Sequence, residues 1–315
     1  MLRGARPRHK RNFVTLAFTC LECSARGMDL TALRTVAAVA DAGSVTGAAA
    51  VLHCVPSAVT ARLQALEAEL GQPLFRRLPR GMAPTPAGEV LLGYARRMLR
   101  MADEARRALA PDAEPRGTLR IGATDTTATV HLPAVFARFH EAHPQVALAL
   151  RSAITSDLLE AVRDHALDGA IVNAMPADPV FRSDRVRTER LVLATARGVA
   201  DPFARAPATM LAARAGGAQR ARVEAWWREA GGPPVEVIEL PSIGLRLSFA
   251  AAGIGVAPLP ASALEVLGVG RALRIHPIPE PWCLQDVALV TRADAVPFPA
   301  MEAFRRMLLA LYGAG

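Results

Sequence analysis

The 315-residue sequence lacks any long apolar run, although 51% of its residues are hydrophobic. No uninterrupted apolar segment approaches the roughly 18–20 residues that a membrane span requires. The sequence therefore predicts a soluble protein, long enough for two or three domains with sizeable cores.

Cysteine is scarce, and the four present are Cys20, Cys23, Cys54 and Cys283. A four-ligand zinc site needs a second ligand pair, which the lone Cys20-Leu-Glu-Cys23 does not have. We therefore expect free thiols in a reducing cytoplasm, with no metal and no other cofactor.

Recognisable catalytic motifs are missing as well. The chain has no G-x-S-x-G elbow, no P-loop, no G-x-G-x-x-G and no H-E-x-x-H. His140 and His143 are three residues apart, but no acidic or cysteine ligands accompany them, and they are interpreted as exposed helix-end histidines. We predict no catalytic residue and no enzymatic activity.

Excess charge of either sign is absent from the C-terminal two-thirds, because residues 112–315 hold 21 basic and 21 acidic residues. The net charge of +8 lies in the first third, above all in residues 1–27, which hold six basic residues and one acidic residue. Attraction to a polyanion is thus expected of the first third, and the rest has another task.

Residues 1–27 have a basic start and a short apolar stretch, so a secretory signal has to be considered. Thr15, Thr19 and Glu22 interrupt that stretch, and no clean cleavage site follows. We expect an N-terminal extension that is disordered or results from a misassigned start, with translation beginning at Met28.

Residues 43–71 predict two short helices joined by a tight corner, behind a first helix that ends at Gly43. The second helix has an apolar stripe and an opposite face of small or polar residues. The stripe consists of Val59, Leu63, Leu66 and Leu70, and the opposite face of Ser57, Thr60, Ala61 and Gln64. Pro56 suits the start of this helix, and Ser44 suits the cap of the helix before it. The pattern favours a helix-turn-helix at about residues 45–64 with a recognition helix over Pro56 to Leu70, an αα-corner in a helical bundle being the alternative.

The next segment, GQPLFRRLPRGMAPT, is rich in Gly, Pro and Arg and predicts a short β-wing. Arg76, Arg77 and Arg80 near its tip would reach phosphate oxygens or a minor groove. A solvated basic loop is the alternative.

Thr85 and Pro86 are suited to cap and begin a long helix, predicted over residues 87–111. Its apolar residues recur at alternating steps of four and three, and are Leu91, Ala95, Met98, Ala102, Ala105 and Leu109. Such a seam is typical of a coiled coil and predicts pairing with a second copy, with packing onto its own domain as the alternative.

Beyond a hinge, LAPDAEPRGT, the chain alternates strands and helices. This alternation predicts a parallel sheet covered by helices. Its repetition after Glu189 predicts two α/β lobes in tandem with a cleft between them.

In open α/β sheets, ligands bind beyond the carboxyl ends of strands, next to helix N-termini. The residues at such positions are mostly small or hydroxyl-bearing, and include Thr124, Asp125, Thr126, Thr127, Ser152, Thr155, Asn173, Ala218, Gln219 and Ser242. The lining suits a small effector, with a carboxylate-bearing molecule as a candidate. Each residue taken alone fits a cap or turn equally well, and it is their recurrence at one topological position that favours a site.

The corner, the wing and the long helix together resemble the LysR-type transcriptional regulators of bacteria, from Met28 to near the C-terminus. The likeness is strongest over residues 40–92, at Gly43-Ser44, Ala58-Val59-Thr60, Leu70-Gly71, Pro73-Leu74-Phe75 and Thr85-Pro86-Ala87-Gly88. The segments GTLRIGATDTTATVHLPAVFARFHEAHP and AAGIGVAPLP are also similar to the family.

The resemblance implies an all-α winged helix-turn-helix at residues 28–86, a dimerising linker helix at 87–111, and a two-lobed α/β effector-binding domain at 117–315 like the periplasmic binding proteins. The final segment is implied to return to the first lobe, so that lobe I covers about 117–188 and 286–315 and lobe II about 189–285. The implied assembly is a homotetramer. Implied partners are double-stranded operator DNA and a small-molecule effector, and RNA polymerase is a further candidate.

Two positions of the recognition helix depart from the family. Val55-Pro56 stands where Ser-Gln is frequent and Ala61 where an arginine is common, which argues against base contacts there. The residues expected at the DNA are Ser44, Pro56, Ser57, Thr60, Arg62, Gln64, Arg76, Arg77 and Arg80. In the effector domain, Ala218 stands where relatives often carry Cys or Ser.

We therefore predict a cytoplasmic, sequence-specific DNA-binding transcriptional regulator in which a small molecule between two lobes alters how paired helix-turn-helix units sit on an operator. The alternative is a ligand-binding or enzymatic α/β protein whose N-terminal helices only dimerise. A regulator with a degenerate, effector-independent cleft is a third hypothesis.

Overall fold

The computed structural model describes residues 28–109, 114–204 and 206–313. It divides into two compact units, one ending at Leu99 and the other beginning at Arg100. The predicted N-terminal extension, with Cys20 and Cys23, lies outside the described residues. Cys54 and Cys283 are free thiols.

The first unit holds three helices, a two-stranded sheet and the start of a long helix. These elements are α1 Leu30–Ala42, α2 Val45–Val51, α3 Pro56–Leu70, β1 Phe75–Leu78, β2 Gly81–Pro84 and α4 Pro86–Ala108. The strands pair antiparallel from Phe75 opposite Pro84 to Leu78 opposite Gly81. The predicted winged helix-turn-helix is confirmed.

Local chemistry explains where these helices begin and end. The Ser44 hydroxyl accepts a hydrogen bond from the Gly47 N–H at 3.0 Å, and the Thr85 hydroxyl accepts one from the Gly88 N–H at 3.0 Å. Both bonds satisfy helix N–H groups that would otherwise lack a partner. Gly43 ends α1 at a φ of 63°, a left-handed conformation that glycine adopts at little cost.

The core of the first unit lies between α1, α2, α3 and the wing. Val59, Leu63 and Leu66 of the predicted stripe are at most 4% exposed, whereas Leu70, the last residue of α3, is 39% exposed. The Glu67 carboxylate accepts hydrogen bonds from the N–H groups of Leu74 at 2.7 Å and Phe75 at 3.3 Å. This carboxylate therefore fixes the end of the recognition helix to the start of the wing.

The seam predicted for the long helix is partly wrong. Ala95 is fully buried and Leu92 is 5% exposed, and Leu92 belongs to the core of the first unit, with Leu91 packed against it. An apolar stripe is nevertheless exposed along α4, and it consists of Val90, Tyr94, Met98 and Met101. It shares Met98 with the predicted seam, whose last residue, Leu109, is exposed just beyond the end of the helix. Apolar residues recur on more than one face of this helix, so only tertiary packing decides which face the first unit covers.

The second unit is a mixed α/β fold. Its first half contains β3 Gly117–Ala123, α5 Asp125–Val130, α6 Leu132–Ala142, β4 Val146–Ser152, α7 Thr155–Arg163, β5 Gly169–Val172 and β6 Phe181–Ala196. Its second half contains β7 Ala208–Ala212, α8 Ala218–Glu229, β8 Val235–Glu239, α9 Ile243–Ala251, β9 Ala257–Pro260, α10 Ala261–Val266, β10 Leu273–Pro277, β11 Leu284–Arg292 and α11 Pro299–Tyr312.

Strand direction corrects the prediction of two tandem parallel sheets. The pairs β3–β4, β3–β5 and β7–β8 are parallel, but β6 is antiparallel to β9, β10 and β11. Strand β6 pairs with β11 up to Arg190 and with β9 and β10 from Leu191 onward. Apolar runs identify a buried strand without giving its direction, so the sequence could not distinguish these cases.

The C-terminal segment returns to the first half of this unit, as the family resemblance implies. Strand β11 pairs with β5, and α11 packs its Phe304 into the core formed by β3, β4 and α6. The Phe304 ring meets those of Phe139 and Phe136 edge-on, at centroid distances of 5.6 and 5.9 Å. The lobe boundaries stay predictions, and the change of partners of β6 after Arg190 lies close to them.

None of the helices in the described part of the chain combines the length and the hydrophobicity that a membrane crossing requires.

We expect Phe304→Ala to lower the free energy of unfolding by about 3–5 kcal/mol, because Phe304 is fully buried and its removal leaves a cavity in the core. Chemical denaturation followed by circular dichroism measures the loss. Arg306→Ala, an exposed position on the same helix, is the control and should change stability by less than about 0.5 kcal/mol. Equal effects of the two substitutions would contradict this core assignment.

Candidate functional site

The outward face of α3 is open. Pro56, Ser57, Ala61, Arg62 and Gln64 are all exposed, while the opposite face of the helix is buried in the core. Short side chains let a helix backbone approach a large partner closely, and the 12 Å width of a DNA major groove admits an α-helix. The face therefore has the shape and the polarity of a DNA-reading surface.

The wing extends the same unit with a cluster of positive charge. Arg76 and Arg77 lie on β1 and Arg80 lies in the turn before β2, and all three are exposed. Among the described residues, none of these three side chains forms an ion pair with a carboxylate, so their guanidinium groups are free to contact phosphate oxygens.

Two predicted DNA-binding hydroxyls have structural partners. The Thr60 hydroxyl donates to the Pro56 carbonyl oxygen at 3.1 Å, and the Ser44 oxygen caps α2. Thr60 can therefore meet a base with its methyl group or as a hydrogen-bond acceptor, and Ser44 keeps only its own O–H for a phosphate. Both remain predicted contact residues.

The second unit contains a cavity of about 640 Å³ at the ends of strands from both lobes. This volume is typical of a small-molecule pocket. Nine of the ten predicted effector residues line it: Thr124, Asp125, Thr126, Ser152, Thr155, Asn173, Ala218, Gln219 and Ser242. Their assignment to an effector remains a prediction.

Thr127 is the exception and does not line the cavity. Thr127 is only 2% exposed. Its hydroxyl lies 3.0 Å from the Thr124 hydroxyl and donates to the Asn173 amide oxygen at 3.1 Å. The prediction that Thr127 contacts a ligand is therefore corrected: it faces inward because α5 turns it behind Thr124. Its hydrogen bonds hold Thr124 and Asn173 in position at the cavity wall.

The sequence did not indicate five charged residues that line the cavity. They are Arg214, Arg220 and Arg246, together with Asp157 and Glu239. Isolated charges resemble ordinary surface residues in a sequence. Apart from Glu224, four residues after Arg220, the charged partners of these arginines are 19 to 121 positions away. No local motif could have indicated them.

Two of these arginines are paired with carboxylates. Arg214 forms a close ion pair with Asp157, and Arg220 bonds to Glu224 at 2.7 Å and Glu239 at 2.8 Å. Burial alone would lower the pKa of Arg220, but its two carboxylate partners outweigh it and raise that pKa, and Arg220 in turn lowers the pKa of Glu239. These ion pairs stabilise the cavity wall, and within each of them the charges of arginine and carboxylate compensate each other.

A second buried polar cluster links the lobes outside the cavity. His131 Nε2 lies 2.6 Å from Glu189 Oε1, and the Ser262 hydroxyl donates to the same oxygen at 2.7 Å. Glu189 is on β6, His131 precedes α6 and Ser262 is on α10. Burial favours a raised pKa for Glu189, but the His131 and Ser262 hydrogen bonds and the charge of Arg187 prevail and lower it. The carboxylate is thus ionised, and His131 Nε2 donates to it.

Among the described residues, no group of three or more His, Cys, Asp or Glu side chains is arranged to hold a metal ion. His140 is exposed and His143 is half-buried at the end of α6.

The exposed helix with its basic wing and the separate internal cavity define a DNA-binding protein with a small-molecule-binding domain. The family model described as the LysR substrate binding domain matches residues 112–312, and the model described as bacterial regulatory helix-turn-helix protein, lysR family, matches residues 30–89. The chain belongs to the LysR family of bacterial regulators. It is a DNA-binding transcriptional regulator with an effector-binding domain, in a family of regulators rather than enzymes.

Curated relatives agree over nearly the whole length. The HTH-type transcriptional regulator YusT of Bacillus subtilis is 35% identical over 86% of this chain and 92% of its own length. The HTH-type transcriptional regulator CzcR of Bacillus anthracis is 32% identical over 89% of this chain and 97% of its own length.

Solved structures share the fold. Full-length OxyR from Pseudomonas aeruginosa has a TM-score of 0.67 at 24% identity, covering 90% of this chain and 98% of that chain. Full-length CbnR complexed with its target DNA has a TM-score of 0.64 at 23% identity, covering 89% and 99%.

We expect Glu189→Gln to reduce the free energy of unfolding at pH 7 by about 1–3 kcal/mol, because it removes a buried, hydrogen-bonded charge. A lowered folded-state pKa gives stability that is present above the unfolded pKa, ordinarily 4.5, and is lost as the pH falls through the folded value. The gap between wild type and variant should therefore shrink below about pH 4.5.

Denaturant titrations between pH 3 and pH 8 measure this gap. Glu141→Gln, at an exposed position of α6, is the control for the loss of one acidic charge. A gap that is the same at every pH, or one that the control reproduces, would speak against an ionised Glu189 that stabilises the fold.

Proposed function

We propose that this regulator binds an operator through paired helix-turn-helix units and that a small molecule in the 640 Å³ cavity changes how those units engage the DNA. The observation that carries the DNA-binding half is the exposed face of α3, whose opposite face supplies the buried Val59, Leu63 and Leu66. The proposed setting is the cytoplasm, where the operator DNA lies.

The recognition surface divides by chemistry. Ser57, Thr60 and Gln64 on α3 are short or amide-bearing and suit base edges. The surrounding residues offer backbone and guanidinium groups that suit phosphates or the minor groove. They are Ser44, Pro56, Arg62, Arg76, Arg77 and Arg80. Sequence preference therefore resides in α3, and most of the electrostatic attraction resides in its surroundings.

Self-association is proposed through α4. Its stripe of Val90, Tyr94, Met98 and Met101 is 37–63% exposed, which is unusual for large apolar side chains spaced along one helix face. Two such helices bury their stripes when they pair, and further contacts between effector domains would complete a tetramer. RNA polymerase remains a candidate partner of the DNA-bound form.

An effector acts in this scheme only through unequal affinity for two arrangements of the lobes. The cavity suits this role because its walls come from both sides of the point where β6 changes partners: Thr124 and Asn173 belong to one side, and Gln219 and Ser242 to the other. A molecule that contacts both walls favours the arrangement in which they are closest.

We expect Arg76→Ala to weaken binding to every duplex and to lower the slope of log affinity against log salt by about one, because one phosphate contact is lost. Thr60→Ala should instead weaken only the preferred site, roughly tenfold, and leave random DNA unchanged. Fluorescence anisotropy with DNA from upstream of its own coding sequence and with a shuffled duplex, at several salt concentrations, measures both quantities.

Arg228→Ala, an exposed arginine of α8, controls for the loss of one positive charge far along the chain. The assignment of roles to α3 and the wing does not survive if Arg76→Ala and Thr60→Ala show the same losses on specific and shuffled DNA. A full-length protein that turns over a small molecule and shows no salt-sensitive DNA binding would instead favour the alternative of a ligand-binding enzyme.

We expect Tyr94→Glu to shift the protein toward monomer, because it places a charge in the apolar stripe that pairing would bury. Sedimentation velocity at micromolar concentration distinguishes the states. Glu89→Gln alters a charge on another face of α4 and should leave the assembly unchanged. A Tyr94→Glu protein that sediments like the wild type would exclude this stripe as the dimer contact.

A further inference from the structure

One arginine of the cavity differs from the other two. Arg246, on α9, is 5% exposed and lines the cavity. Its hydrogen bonds are all long: 3.5 Å to the Ser242 carbonyl oxygen, 3.4 Å to Asp125 Oδ2 and 3.3 Å to the Thr126 hydroxyl. Charge-assisted bonds of this type are normally 2.7–2.9 Å. The buried guanidinium is therefore poorly compensated.

Asp125 cannot compensate it well because its carboxylate is committed elsewhere. Asp125 Oδ2 accepts a bond of 2.6 Å from the N–H of Ile243, the first residue of α9. The same oxygen is the one 3.4 Å from Arg246. The side chain of Asp125 thus caps a helix first and neutralises the arginine second.

The guanidinium keeps donors available for a ligand. Arginine has five N–H donors, and the Nη1 group of Arg246 makes no hydrogen bond to any described residue. This unpaired Nη1 group is not sealed from solvent, so a ligand can reach it. Burial lowers the pKa of Arg246, with Asp125 opposing that shift, so a second anion beside it would relieve an energetic cost.

From this geometry we infer that Arg246 is the anchor for the anionic group of the effector, that a carboxylate of a small organic acid binds it, and that Asp125 competes with that ligand as a built-in anion. The inference rests on the proposed function of the cavity and names its ligand class. The hydroxyls of Thr126 and Ser242 line the cavity beside the anchor and add hydrogen-bonding groups for the same carboxylate.

The competition makes the site responsive to its ligand. Asp125 begins α5 and Ile243 begins α9, so the carboxylate joins two elements that follow β3 and β8. A ligand carboxylate that takes Arg246 leaves Asp125 bonded to the Ile243 N–H alone and adds negative charge next to it. The tie between α5 and α9 then differs between empty and occupied protein, which is the differential interaction that an effector requires.

The test uses the full-length protein and matched probes: formate, benzoate, hexanoate and succinate, each against its neutral amide, plus L-alanine as a zwitterion. Thermal shift and isothermal titration measure binding. At least one of the carboxylates should bind and no amide should. Arg246→Gln should weaken that binding roughly 30-fold or more, while Arg246→Lys retains the preference for carboxylates. Arg228→Gln, at an exposed position of α8 outside the cavity lining, is the control and should bind as the wild type does.

Asp125→Asn removes the competing charge and should tighten binding of the monocarboxylates, while its amide oxygen can still cap α9. The proposal is overturned if no carboxylate binds, if amides bind equally, if Arg246→Gln binds carboxylates normally, or if Arg228→Gln is equally impaired. Loss of L-alanine binding in Asp125→Asn with monocarboxylate binding unchanged would instead make Asp125 a ligand for an ammonium group and overturn its role as competitor.

Fold and function are followed separately in these variants. Circular dichroism reports whether Arg246→Gln folds, and its binding to upstream DNA without any ligand should equal that of the wild type. Failure of the anchor appears only in the carboxylate titrations, whereas failure of the proposed regulator function appears as loss of specific DNA binding in every variant and in the wild type.

Discussion

Strand β6 is the constraint on which the effector half of this protein depends. Its 16 residues need backbone hydrogen-bond partners while the chain passes from one lobe to the other. It finds them by pairing with β11 up to Arg190 and then with β9 and β10. One continuous strand therefore ties both lobes together, and we expect a relative movement of the lobes to be a change of angle about the region where its partners change.

The buried His131–Glu189–Ser262 cluster lies next to that region and connects elements of both lobes. Glu189 precedes the change of partners by two residues, and its bonds reach elements on both sides. Buried polar groups tolerate only the geometry in which all their bonds are made. The cluster is therefore one fixed contact between the lobes, and the bond from Ile243 N–H to Asp125 at the cavity is another. An effector has to act against contacts that are few and well defined.

Local signals predicted the DNA-binding half nearly completely, because its features are short-range. The period of Val59, Leu63 and Leu66, the cap at Ser44 and the glycine at Gly43 each involve residues within one or two turns. Strand-end positions also identified nine of the residues that line the cavity. The direction of β6, the covered face of α4 and the charges around Arg246 depend on partners far along the chain. No periodicity or spacing encodes those partners, so only the folded structure reveals them.

The two bonds that Glu67 accepts from the backbone of Leu74 and Phe75 bear on how the protein measures DNA. They join the C-terminal end of α3 to the start of the arginine-bearing wing, so neither element can move without the other. The distance between α3 in the major groove and the wing arginines at the flanking DNA backbone is therefore set before the protein binds. Duplexes whose local width departs from that span must deform to be bound, so the stiffness of the DNA itself enters the selection of its binding sites.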